Sequence, residues 1–517
     1  MKKSNDNEIV FADIIPGENG LIDGDFILQL FNLHKEDVED LSCIHQADGI
    51  HVFITLAARK HECPYCTTPT KKIKGYHTKK ITHSIFHNIN CYIEYHVRRY
   101  ECTACGKTFN EDNPFSEGHS TISVLTVYNV LTALRNPKLS YEDVAKTFNI
   151  SASSVMIIFD RHVQIPRKPL PKYILIDEVH AVDSRDSKYA CVIMDFVTQD
   201  IIDILPTRRK EDLVRYFTLI PREERKKVEI ICSDCWKTYR EITRICFPNA
   251  IHACDEFHII QIFTEIYKGL RVDTMKAAKN KRDKLEKYLT TPNGRKYLNP
   301  EWNKYDIQHY LLSKWNWLLM KSDEYKSKDN KKKKKKKGKH ADDEELPILD
   351  PNRAKKMNKK LGRYLNFYDI HNLLIETNPD LAEAENFYDK LRAFYHTISY
   401  NEAREALNSL IGDLRISNVP EICGYASTLS EWKKSIVNSF IIIDDTGTHI
   451  STGKIESRNK IIKDVKRASN GVRNFQRFRN RCLFAINTDT PIYMPYTPKR
   501  RIDDDNDRSN KSKKTSK

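Results

Sequence analysis

The chain has 517 residues, too many for one hydrophobic core, so about two to four domains are expected. Its 86 Lys and Arg against 70 Asp and Glu leave a net charge of +16, which favours a polyanionic partner, nucleic acid foremost. No apolar run approaches the ~18 residues of a membrane span and no leader-like stretch follows Met1, which argues against membrane and secreted classes. Thirteen cysteines, two close pairs of them at metal spacing, point to a reducing compartment and a metal site, not a disulfide scaffold.

Residues 1–58 read as an N-terminal β-hairpin region, with β-rich runs Val38 to His45 and Ile50 to Leu56 flanking the turn dipeptide Asp48-Gly49. Residues 59–116 read as a zinc ribbon. Cys63-Pro-Tyr-Cys66 and Cys102-Thr-Ala-Cys105 are two knuckles whose thiolates can meet around one tetrahedral zinc. Between them, the alternation of Tyr92, Ile93, Tyr95, Val97 and Tyr100 suits a strand returning to the second knuckle. His61, His77, His83, His87 and Cys91 are spare ligands, read as ordinary packing residues. Lys71, Lys72, Lys74, Lys79, Lys80, Arg98 and Arg99 suit either phosphate contacts or a solvated face.

Residues 117–168 are expected to form a helix-turn-helix domain. Ser140 opens a helix with Glu142 and Asp143 in its first turn, and Val144, Ala145 and Phe148 form its buried face. Asn149 suits the left-handed residue of the turn, and Ser151 caps a second helix with Val155 and Ile158 inside. Ser151, Ser153 and Ser154, at the exposed start of that helix, are the candidate major-groove contacts, although no Arg or Lys precedes Arg161.

From Lys172 the pattern gives strands at 172–177, 189–196 and 200–205, a helix at 211–219, a strand at 228–233, a helix at 238–246, a strand at 250–254 and a helix from 256. By analogy this is the order of a ribonuclease-H-like α/β sheet, whose first part spans 169–260. In that fold the ends of the first and fourth strands are neighbours, which brings Asp177 beside Asp234. A third acid should come from a late helix, where Glu456 is best placed. Three such carboxylates could hold two Mg²⁺ or Mn²⁺ ions for in-line displacement at phosphorus. Cys232 and Cys235, a third C-x-x-C, are read as buried cysteines, and Asp183, Asp186, Asp444 and Asp445 as caps or solvated acids.

Residues 261–450 read as a helical insertion containing the lysine run 331–337. The segment 451–498 supplies the last core helix and a basic region, followed by a disordered tail, 499–517. Glu456, Lys460, Lys463 and Arg467 share one helix face, a stripe suited to a DNA backbone. Downstream, Arg473, Phe475, Arg477, Phe478, Arg479 and Arg481 interleave charge with rings, again as a nucleic-acid surface would.

Taken together these pieces resemble the ISL3 family of bacterial insertion-sequence transposases. The likeness rests on the four knuckle cysteines, Ile176-Asp177-Glu178, Ser233-Asp234-Cys235-Trp236-Lys237, Asp255-Glu256-Phe257-His258 and Gly453-Lys454-Ile455-Glu456-Ser457-Arg458-Asn459-Lys460. It implies a DDE transposase with catalytic Asp177, Asp234 and Glu456 holding Mg²⁺ or Mn²⁺, and structural Zn²⁺ on Cys63, Cys66, Cys102 and Cys105. Its fold class would be multidomain α+β: zinc ribbon, helix-turn-helix and a ribonuclease-H-like core interrupted by the insertion. Its partners would be the terminal inverted repeats and target DNA, with no membrane and a homodimer or higher homo-oligomer on DNA, in the bacterial cytoplasm. The lysine run and Ser457, where the family pattern has Gly, depart from the resemblance. Rival expectations are a catalytically inactive or domesticated DNA-binding repressor and a same-fold nuclease that does not join strands.

Overall fold

The computed structural model of the protein describes residues 28, 33–83, 90–180, 188–288, 299–321, 346–443, 445–471 and 474–492. The lysine run, the tail 499–517, His87, Asp183, Asp186, Asp444 and the expected DNA contact Arg473 lie outside these residues. The architecture is mixed α and β.

The N-terminal hairpin and the cysteine-bearing strands form one sheet. Strands β1 (Val38–Gln46) and β2 (Gly49–Leu56) pair antiparallel, and β2 continues parallel onto β6 (Cys91–Glu101). After the short pair β3 (His61–Glu62) and β4 (Pro69–Thr70), β5 (Ile73–Thr82) runs antiparallel to β6, whose far end is flanked by β7 (Thr108–Asn110). The hairpin, read from the sequence as a segment apart, thus joins the ribbon strands because β6 is long enough to serve both. Gly49 sits at φ 144°, and a Cβ there would lie 2.3 Å from the Asn90 carbonyl oxygen, so the hairpin turn tolerates no side chain. Arg98 is buried between Glu111 and Glu39, and Lys72 and Lys74 pair with Glu101. For Arg98, therefore, the phosphate-contact expectation gives way to an internal ion pair.

Helices α1 (Val124–Ala133), α2 (Tyr141–Thr147) and α3 (Ala152–His162) follow. Ser140 and Asp143 form a reciprocal cap on α2, and the Ser151 hydroxyl accepts from the Ser154 N–H to start α3. Asn149 takes φ 50° between them, and its side-chain amide donates to the Tyr92 hydroxyl, tying the turn to the ribbon sheet. Val144, Ala145, Val155, Ile158 and Phe159 are buried between the helices.

A second sheet has strand order β10-β9-β8-β11-β12, with β8 (Tyr173–His180), β9 (Tyr189–Asp195), β10 (Ile201–Leu205), β11 (Ile230–Ser233) and β12 (Ile251–Cys254). The first three are antiparallel, and β8, β11 and β12 are mutually parallel. Alternation along β8 sends Ile174 and Ile176 to one face and Leu175 and Val179 to the other. The first face is covered by α4 (Lys210–Thr218) and α5 (Lys237–Cys246) through Leu213, Phe217, Tyr239 and Ile242. The second is covered only after a long excursion. Helices α6 (Glu256–Tyr288), α7 (Pro300–Lys314), α8 (Phe367–Ile375), α9 (Pro379–Thr397), α10 (Tyr400–Arg415) and α11 (Pro420–Asn438) build a separate apolar core, interrupted by the small hairpin β13 (Lys356–Asn358) and β14 (Arg363–Leu365). The chain then returns through β15 (Ile442–Ile443) and β16 (Thr448–His449) to lay α12 (Gly453–Ala468) and α13 (Phe475–Ile486) on the open face.

Helix α13 also explains the basic–aromatic run. Arg479 and Arg481 are buried: Arg479 pairs with Asp203 and donates to the Ile165 carbonyl, while Arg481 donates to the Asn136 and Leu139 carbonyls. Arg477, expected to contact DNA, grips Asp160 of α3 with its Nε at 2.8 and 3.0 Å from the two carboxylate oxygens. Phe484 packs among α1–α3. The described part of that run therefore belongs to a helix wedged between two units, with Arg477, Arg479 and Arg481 each matched by an acid or a carbonyl.

Arg479→Leu leaves Asp203 buried without a cation, its carboxylate held only by the Tyr216 hydroxyl at 2.6 Å and the Ile204 N–H at 2.8 Å. Urea unfolding of this variant should show a loss of about 3–5 kcal/mol. The exposed Lys390–Asp413 pair, broken by Lys390→Ala, should cost under about 1 kcal/mol.

Candidate active site and zinc centre

The four knuckle cysteines converge. Their sulfurs all lie within 4.8 Å of one another, with Cys63 to Cys105 at 3.7 Å and Cys66 to Cys102 at 3.4 Å. Four sulfurs at ~2.3 Å from a central zinc would be spaced about 3.8 Å apart, so the donor set fits that ion. The two knuckles repeat one backbone design. The Thr67 N–H donates to the Cys63 carbonyl and the Gly106 N–H to the Cys102 carbonyl, with Thr67 at φ 59° and Gly106 at φ 70°. Each turn presents its thiols on the same side, and the β5–β6 ladder sets the distance between turns.

The acids are positioned by the second sheet. Leu175 of β8 stands opposite Cys232 of β11, so Asp177 and Asp234, each two residues further on, leave the parallel ladder side by side. Neighbouring strands are ~4.8 Å apart, which makes this a close pair. The strand β8 does not end at Asp177 as expected. It continues to His180 against β9, while its pairing with β11 stops, and this one-sided ending opens a notch at the two acids.

Both carboxyls are largely buried. Burial pushes the Asp177 carboxyl up to about 6, with the Asp234 charge adding to the rise. Asp234 is raised as well, by burial first and then by the charge of Glu178, while His258 in the first turn of α6 counteracts both shifts. Asp177 Oδ1 accepts from the Glu178 N–H at 2.7 Å and Oδ2 from the Asn459 side-chain amide at 2.7 Å. Oδ1 of Asp234 and Oδ1 of Asn459 are buried without a hydrogen-bond partner. Orphaned buried oxygens beside two crowded carboxylates are the donor set of a hard divalent cation, so the residues present fit Mg²⁺ or Mn²⁺.

Glu456 lies on α12 three residues before Asn459, about 4.5 Å along the helix axis, and its side chain is exposed. Among the described residues the cysteines are the one group of three or more His, Cys or acidic donors within 4.8 Å of one another, so Glu456 is not drawn in to the aspartates. Helix α12 is nonetheless well anchored. Lys454 donates to the Phe196 carbonyl, Arg458 to that of Gln199, and Lys466 to that of His180. The Thr452 N–H, at its start, donates to the buried Asp255 carboxylate at 2.9 Å. Lys460, Lys463 and Arg467 form an exposed stripe running from Glu456, as the spacing predicts. Ser151 and Ser153 are exposed at the start of α3, though the Ser151 hydroxyl is also engaged with those of Ser153 and Ser154 at 2.8 Å.

Sequence reasoning left Asn459, Glu178 and Asp255 without roles. Glu178 points to the opposite face of β8, where Arg208 and the Tyr239 hydroxyl hold it. Its adjacency to Asp177 was the available signal. The partners of Asn459 and Asp255 depend on chain returns of 282 and 197 residues, which no local pattern encodes. The reading of Cys235 as an unpaired buried cysteine is corrected: it is disulfide-bonded to Cys254, their Cα atoms 5.8 Å apart across the ends of β11 and β12, while Cys232 is free and buried.

Purified protein should carry about one zinc per chain, and Cys66→Ser should lose it together with the ribbon's cooperative unfolding transition, as read by metal analysis and circular dichroism.

Residues 174–482, more than half of the chain, match the ISL3 transposase family profile, described as transposase. Residues 59–105 match that of the zinc-finger of transposase IS204/IS1001/IS1096/IS1165. No curated protein matches the chain. With the acid pair inside the first span and the four knuckle cysteines inside the second, the chain belongs to the ISL3 family of insertion-sequence transposases.

Proposed function

We propose that this protein binds the terminal inverted repeats of an insertion sequence and catalyses metal-dependent strand cleavage and strand transfer at their ends. The observation that carries the reading is the pair of buried carboxyls, Asp177 and Asp234, side by side at one notch of the second sheet, with an orphaned oxygen on Asp234. In this reading the β8–β12 sheet is a ribonuclease-H-like core and α2–α3 a helix-turn-helix.

Asp177, Asp234 and Glu456 are the proposed ligands of Mg²⁺ or Mn²⁺. Bound ions would supply activation of the attacking oxygen and stabilisation of the leaving 3′-oxygen in an in-line displacement. The protein's own groups do the positioning. Asn459 and the Glu178 N–H hold the Asp177 carboxyl in one orientation. The hold of Asp255 on Thr452 fixes the start of α12, so that Glu456 stands one turn from Asn459 at the solvent side of the notch. Lys460, Lys463 and Arg467 would follow a DNA backbone away from the site, and Ser151, Ser153 and Ser154 would meet the major groove. Arg477, committed to Asp160, is assigned to holding α3 in place instead. Two transposon ends must be paired, which implies a homodimer or a higher homo-oligomer on DNA, in the bacterial cytoplasm where the nucleoid lies.

The test is incubation with Mg²⁺ or Mn²⁺ and DNA carrying the flanking repeats. Wild-type protein should nick at the repeat ends and join them to target, and Asp234→Ala and Glu456→Gln should each lower the rate by at least about a thousandfold. End-specific binding without cleavage by folded, zinc-loaded protein would overturn the enzyme reading in favour of a DNA-binding role. Cleavage without joining would replace transposase by nuclease.

A further inference from the structure

The insertion contains a cavity of about 470 Å³ between the end of α7, the β13–β14 hairpin and the start of α8. Rings and cations stand out in its walls, beside aliphatic and amide side chains such as Met357, Ile370 and Asn358. Trp315, Phe367 and Tyr310 contribute rings, with the Trp315 and Phe367 centroids 6.1 Å apart. Lys314, Lys356 and Lys359 contribute cations that carry no ion pair among the described residues, and no carboxylate lines the cavity. Lys356 and Lys359 are exposed at its mouth.

That combination is specific in its chemistry. Rings accept a planar partner, and unpaired lysines accept an anion. The volume admits one nucleotide and excludes a duplex, which is about 20 Å wide. We propose that this cavity captures one unpaired nucleotide of a DNA strand, its base against Trp315 and Phe367 and its phosphate at Lys356 and Lys359. The inference rests on the strand-transfer reading, in which a strand end must leave its helix. It adds a substrate site outside the acid notch, on the insertion that begins directly after β12.

The experiment uses full-length, zinc-loaded protein and a labelled single-stranded dT hexamer, with a blunt duplex of equal length and free dTMP as comparisons. Anisotropy gives affinity, and quenching of tryptophan fluorescence reports stacking. The hexamer should bind at least tenfold tighter than the duplex and than dTMP. The exposed double change Lys356→Glu with Lys359→Glu should weaken the hexamer at least tenfold, and Phe367→Leu about three- to tenfold, with circular dichroism unchanged. Asp234→Ala should bind the hexamer as wild type does. Equal hexamer affinity in wild type and the lysine double variant would overturn the proposal, as would equal affinity for duplex. Equal affinity for dTMP would assign the cavity to a free nucleotide and overturn the strand-capture role. Nicking at the repeat ends, measured on the same preparations, separates the two readings. Nicking without hexamer discrimination sinks the cavity proposal alone, and hexamer discrimination without nicking sinks the enzyme reading alone.

Discussion

The parallel register of β8 with β11 is the constraint on which the site depends. It sets Leu175 against Cys232, and the two carboxyls that follow emerge together. Burial raises both carboxyls, and neighbouring negative charge adds to it, that of Asp234 at Asp177 and that of Glu178 at Asp234. The surrounding structure accepts that cost and adds to it by burying an oxygen of Asp234 without a donor. Core packing gains nothing from such an arrangement, whereas a cation site needs it.

Around this notch the protein is built so that late parts of the chain complete early ones. The sheet has one face covered by the helices that follow its own strands and the other left open until α12 and α13 return. Each returning helix makes a polar contact as well as an apolar one. Asn459 reaches Asp177, and Arg479 reaches Asp203 on β10. Helix α13 then extends past the sheet to Asp160, Asn136 and Leu139, so the α1–α3 unit is held by the same element that closes the core. The insertion is tied back through His252 of β12, hydrogen-bonded to both Ser233 and Ser435 at 2.9 Å. The position of the α1–α3 unit and the position of the acids are thereby mechanically linked.

Local chemistry was legible in the sequence wherever it was local in space. The strand and helix order of 172–256, the caps at Ser140 and Ser151, the left-handed Asn149 and the two knuckles all follow from short patterns, and the structure has each of them. Long-range chemistry was not. Arg479 and Arg481 have the sequence pattern of a nucleic-acid surface because an internal helix that must neutralise Asp203 and cap carbonyls uses the same residues. Cys235 looked like half of a C-x-x-C pair with Cys232, and its partner is instead Cys254 on the next strand. The hairpin of residues 38–56 gave no sign that β2 would pair with β6, since that contact spans the whole ribbon.

The central claim is that the acids at the β8–β11 notch hold divalent metal. Mn²⁺ binding to full-length protein, followed by electron paramagnetic resonance, tests it directly against Asp177→Asn and Glu456→Gln. The account predicts that wild type binds Mn²⁺ at the notch, that Asp177→Asn weakens binding at least about tenfold, and that Glu456→Gln weakens it as well. Binding that is the same in all three proteins would contradict it.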